Sequence, residues 1–107
     1  MAKAFHLRGQ CYNQMGDFQR ALYDFSLAIR IAKDKKKERE NDGDLAKYYN
    51  SAGFMHYELA QYDEAQKHYD MAIRTGAEAS HYYNSGLCKM ALDKIPEAIE
   101  DLTKAIG

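Results

Sequence analysis

Apolar residues recur along this chain at helical spacing, and they do so in one register three times. Phe5, Gly9 and Tyr12 share one helix face, and Leu22, Phe25, Ala28 and Ile29 share the next. The block from Phe5 to Ile29 returns without a gap as Tyr49 to Ile73 and as Tyr82 to Ile106. Matched positions hold an aromatic opener (Phe5, Tyr49, Tyr82), a glycine (Gly9, Gly53, Gly86) and an alanine (Ala21, Ala65, Ala98). A bulky residue follows (Phe25, Tyr69, Leu102), and an Ala-Ile pair closes each block. A repeated unit of this length buries its apolar face against a neighbouring copy, so the repeat sets the fold before any other argument.

Each block breaks once, at Met15-Gly16-Asp17, Ala60-Gln61 and Asp93-Lys94, which predicts two helices per block. Six helices are expected, at about 3–14, 18–38, 45–59, 62–75, 79–92 and 95–106. Asp17 is a candidate N-cap, Pro96 suits a first turn that needs no N–H, and Glu64 and Glu97 lie near helix starts. Glycine inside a helix costs about 1 kcal/mol against alanine, so three matched glycines point to close helix contact. No phosphate-loop spacing accompanies them.

The pattern resembles the tetratricopeptide repeat, over Phe5 to Ile106. That resemblance implies an all-α, right-handed α-solenoid of three helix-turn-helix hairpins, with the first helices lining a concave face. It also implies a binding module, not a catalyst. The expected organisation is one domain over 2–107, with repeats at about 2–31, 46–77 and 79–107. Steps between repeats are unequal: 44 residues from Gly9 to Gly53, but 33 from Gly53 to Gly86. The surplus falls in the charged stretch 32–44, where helix two is expected to run on and stop before Asn41-Asp42-Gly43, with Asp44 capping helix three. This spacing is similar to the longer-repeat branch of the family. The Lys35-Lys36-Lys37 run, interleaved with Asp34, Glu38 and Glu40, reads as a solvated helix end.

Groove slots carried over from the family are Lys3, His6, Gln10 and Asn13 in the first repeat. The second repeat supplies Lys47, Asn50, Phe54 and Tyr57. The third supplies Ser80, Tyr83, Asn84, Leu87 and Met90. The groove therefore runs from polar to aromatic and aliphatic, and it suits a partner peptide or helix with an apolar or amphipathic segment. Asn50 and Asn84 are expected to hold that partner's backbone. Family members that grip acidic chaperone tails use fixed positive charges, whereas the matching slots here hold His6, Gln10, Ser51, Ser80 and Asn84. That use is not expected.

Composition narrows the classes further. A net charge of −1 over 107 residues argues against a nucleic-acid or membrane-surface partner held by bulk charge. No apolar run approaches the roughly 20 residues that span a bilayer, and the start lacks a signal-peptide core. A cytoplasmic setting is expected. Cys11 and Cys88 share a slot in repeats one and three, too far apart for a disulfide, and read as buried thiols. No cofactor, metal or catalytic group is expected from His6, His56, His68 and His81, and His56 reads as a packed, hydrogen-bonded residue. The alternative to a peptide-binding role is a structural segment that stacks on further repeats or self-associates through the uncapped last helix, where Leu102 and Ile106 are expected to be exposed.

Overall fold

The structure, a computed structural model, describes residues 1–34 and 42–107. Six helices follow one another: α1 (Ala2–Gln14), α2 (Phe18–Lys33), α3 (Asp42–Glu58), α4 (Tyr62–Gly76), α5 (Ala79–Ala91) and α6 (Ile95–Ile106). They pair as hairpins α1/α2, α3/α4 and α5/α6, and α2 packs on α3 as α4 packs on α5. The result is an all-α solenoid in which each hairpin rests on its neighbours.

The repeated glycines mark where paired helices come closest. A methyl group at Gly9 would sit 2.6 Å from the Phe25 ring; at Gly53 it would meet the Tyr69 ring at 2.9 Å, and at Gly86 the Leu102 side chain at 2.8 Å. Each glycine thus receives the bulky residue of the same repeat. Ala21, Ala65 and Ala98 are buried beside these contacts. Phe25 and Tyr69 are among the largest fully buried side chains, and truncating either to alanine costs about 3–5 kcal/mol.

The three hairpin turns share one geometry. Gly16, Ala60 and Asp93 all adopt positive φ (82°, 61° and 62°). In each, the following N–H bonds back five residues, from Asp17 to Tyr12, Gln61 to His56 and Lys94 to Lys89. This is a Schellman closure, and only the first turn uses the glycine that suits it. Asp17 caps α2 by accepting the Arg20 amide at 3.2 Å, and Pro96 and Glu97 lie in the first turn of α6.

Several expectations need correction. Helix two ends at Lys33, because Asp34 (φ −92°, ψ 55°) is not helical; the rest of the expected extension falls on 35–41, outside the described residues. Helix three starts at Asp42, so Asp44 lies in its first turn and is not its N-cap. Cys88 is buried but Cys11 is exposed. Their shared slot faces back toward the preceding hairpin: Cys88 meets the Tyr62 carbonyl at 3.2 Å, and Met55, in the same slot, is buried. Among the described residues no helix stands behind α1. Leu102 is half-buried against Gly86, and the exposed apolar residues of α6 are Ile95, Ile99 and Ile106.

Candidate functional site

The first helices α1, α3 and α5 stand side by side and are tied to each other by side chains. His6 of α1 bonds Ser51 of α3 at 2.9 Å, and Asn84 of α5 donates to Asn50 of α3 at 3.0 Å. Between them lies a cavity of about 140 Å³ lined by Gln10, Asn13, Phe25, Asn50, Ser51, Phe54, Met55 and Asn84. Five of the thirteen residues picked from the sequence meet there. Amides and a hydroxyl supply its polar atoms, and none of these lining residues is charged.

The other eight lie around it or apart from it. His6 packs against the rings of Phe25 (5.3 Å) and Tyr48 (4.8 Å). Burial pushes its pKa below the ordinary 6.5; Asp44 pulls it upward and Lys47 pushes it further down. Lys3 and Lys47 are exposed. Ser80 and Tyr83 line a different, apolar hollow of about 500 Å³ with Ala79, Leu102, Ala105 and Ile106, at the outer face of the last hairpin. Leu87 is half-buried and Met90 exposed. Tyr57 stacks edge-on against Tyr62 at 5.3 Å. It packs against the cluster of Ala65, Tyr69 and Cys88, and so serves the α3–α4–α5 seam. Burial raises the Tyr57 pKa and pushes the Cys88 thiol up to about 11, which keeps that thiol protonated and inert.

Three arrangements were not read from the sequence. Arg8 makes a two-pronged ion pair with the buried carboxylate of Asp24, at 2.7 and 2.9 Å. The matching residues of the third repeat, Ser85 and Asp101, are 2.6 Å apart, and Lys89 reaches Asp101 at 2.8 Å. In the second repeat the column changes chemistry. His56 and His68 face each other with ring centroids 4.8 Å apart, and Glu64 joins them. The Glu64–His68 pair, four residues apart on one face of α4, was open to a reading of that helix alone and was passed over; only its partner His56 lies across the turn. Aligning the repeats exposes the column directly: Tyr12/Asp24, His56/His68 and Lys89/Asp101 occupy the same two slots.

Stacked antiparallel hairpins whose first helices flank a polar cavity define a helical-repeat solenoid. Residues 2–35 match the family model described as "Tetratricopeptide repeat". Two of the solved structures that share the fold are the following. The second TPR of Spaghetti (RPAP3) bound to the HSP90 peptide SRMEEVD is 22% identical, over 98% of this chain and 89% of that one, with a TM-score of 0.84. MamA is 20% identical, over 98% of this chain and 56% of that one, with a TM-score of 0.83. A search of the curated proteins found no match. Residues 2–35 thus match a tetratricopeptide repeat, and the chain as a whole shares the fold of these solved structures. Tetratricopeptide-repeat proteins are generally interaction modules without catalysis of their own. Among the described residues, no helix is long and apolar enough to cross a membrane.

Proposed function

We propose that this solenoid is a non-catalytic scaffold or adaptor of the cytoplasm that binds a partner's peptide or helix along α1, α3 and α5. The observation that carries this is the cavity joining Gln10, Asn13, Asn50, Phe54 and Asn84. The Asn50–Asn84 bond uses one amide hydrogen of Asn84 and the carbonyl of Asn50. The Asn50 NH2 and the Asn84 carbonyl are the complementary groups that a peptide bond needs. Phe54, Tyr83 and Met90 are exposed nearby along the same helices and offer apolar anchorage. The Spaghetti structure holds an acidic peptide; the uncharged lining here favours a neutral backbone over a terminal carboxylate.

The test is to select peptides by display against the full chain and then measure affinity for the best of them. Phe54→Ala or Asn50→Ala should each raise Kd about tenfold, equivalent to about 1.4 kcal/mol. Unchanged Kd in both variants would place the peptide elsewhere. Tyr57 is a poor probe, because its substitution disturbs the seam it fills.

A second reading, a structural segment that stacks on further repeats, is favoured by one gradient. Ile29, Ile73 and Ile106 occupy one slot; the first is 8% exposed, the second half-buried and the third 87% exposed. The next hairpin covers that slot in the first two repeats, and the hollow beside Ile106 presents the same face uncovered. Light scattering over a wide concentration range separates the readings: a monomer throughout speaks against self-stacking.

A further inference from the structure

The second hairpin gathers His56 from the last turns of α3 with Glu64 and His68 from α4. One ligand atom of each lies within 4.8 Å of the other two. Hydrogen bonds settle which nitrogen each ring offers. His68 Nδ1 lies 2.9 Å from the Glu64 backbone carbonyl, which only accepts, so Nδ1 carries the proton and Nε2 the lone pair. His56 Nδ1 lies 2.7 Å from Gln61 Oε1, which fixes the same tautomer. Histidines that hold metals are oriented in this way, with the far N–H donating to a carbonyl or carboxylate.

The neighbouring hairpins sharpen the contrast. Their matching slots hold a carboxylate with a cation at hand: Asp24 with Arg8, and Asp101 with Lys89. Here two imidazoles and a carboxylate converge, and Lys67 lies 3.5 Å from Glu64 Oε2 in an exposed pair. Such a pair is weak and is readily displaced. Tyr49 stands edge-on to His68 at 6.1 Å and walls one side.

We infer that His56, Glu64 and His68 form a binding site for a divalent transition metal, with Zn²⁺ as its ion, held by two imidazole nitrogens and one carboxylate oxygen. Imidazole donors select against Ca²⁺ and Mg²⁺, and Zn²⁺ accepts three protein ligands with water at the fourth position. Bonds of about 2.0–2.2 Å draw the ligand atoms inward from their present spread by about an ångström, a motion within reach of the exposed Glu64 side chain. Because the ligands come from both helices, the ion clamps α3 to α4 across the turn. Gln61 is a positioning residue that aims His56. This inference is independent of what occupies the α1–α3–α5 cavity.

The experiment titrates Zn²⁺ alone into the metal-stripped full chain, free of any polyhistidine tag, by calorimetry and by thermal melts. One Zn²⁺ per chain and a Tm that climbs with Zn²⁺ concentration are expected. His56→Ala and His68→Ala should abolish the Tm shift. If either fails to fold, the exposed positions carry the test. Glu64→Gln and Gln61→Ala should keep the metal-free Tm and weaken Zn²⁺ binding about tenfold or more. Absence of saturable binding overturns the site, as does binding that Glu64→Gln and Gln61→Ala leave unchanged. Nitrogen NMR of the metal-free rings supplies a further check: protons on Nε2 of both histidines would also overturn it.

Discussion

Gly9 lies so near the Phe25 ring that a single added methyl would come within 2.6 Å of it. Phe25 is fully buried and has no room to turn away, so Gly9→Ala should destabilise the fold by about 1–3 kcal/mol despite alanine's better helix propensity. Gly53→Ala, against the equally buried Tyr69, should fall in the same range. Gly86→Ala should be the mildest of the three and close to neutral. Its neighbour Leu102 is a flexible, half-buried side chain, and the propensity gain of about 1 kcal/mol offsets its displacement. Urea denaturation of the three variants checks the order, and a Gly86→Ala loss as large as that of Gly9→Ala would contradict it.

The matched turns give the opposite kind of prediction. Ala60 holds a left-handed φ of 61° that L-residues adopt at a cost of roughly 1–2 kcal/mol. Ala60→Gly should therefore raise stability by about 1 kcal/mol. Asp93→Gly should gain less, since aspartate tolerates this region better. Gly16→Ala should cost about 1 kcal/mol. Thermal melts of these exposed positions read the turn alone, because none of them lies in the core.

Repeat register, helix pairs and turn positions were all legible in the chain, because each depends on residues that recur at a fixed distance from a glycine. What escaped depends on neighbours in the stack. Cys11 and Cys88 occupy one slot, yet among the described residues Cys88 is covered by the preceding hairpin and Cys11 is exposed. Arg8 and Asp24 are sixteen residues apart on different helices, and Asn50 and Asn84 belong to different repeats. A helix-by-helix pattern carries no information on either pair. Tyr57 looked like a groove residue from its face of α3, but Tyr62 across the turn draws it into the seam.

The Arg8–Asp24 pair should resist conservative change. Asp24 is 1% exposed, and Arg8 satisfies both its oxygens. Lysine cannot copy that fork, so Arg8→Lys should still lower Tm. Asp24→Ala introduced together with Arg8→Ala should be less harmful than the sum of the singles, because it removes the stranded charge. In the third repeat, Ser85→Ala should cost about 1–2 kcal/mol, since Asp101 keeps Lys89. A double-mutant cycle with strictly additive effects would show that Arg8 and Asp24 do not act as a unit.

His6 makes stability depend on pH. Burial holds its folded pKa below the unfolded value of 6.5, with the Lys47 charge adding to that and Asp44 opposing it. As pH falls through 6.5 the unfolded chain takes up the proton first, so stability drops, and it goes on dropping until the lowered folded value is passed. His6→Gln should flatten that part of the profile. Denaturation midpoints of both proteins across this window, compared as a difference, isolate His6; parallel profiles would contradict the assignment.

The gradient from Ile29 to Ile106 has a consequence for motion. Each hairpin is held only by those beside it, so the chain behaves as a short one-dimensional array whose bonds are weakest at a bare edge. Amide hydrogen exchange should therefore run fastest in α6, slow toward α3 and α4, and leave the central cavity intact while the far end repeatedly peels and reseals.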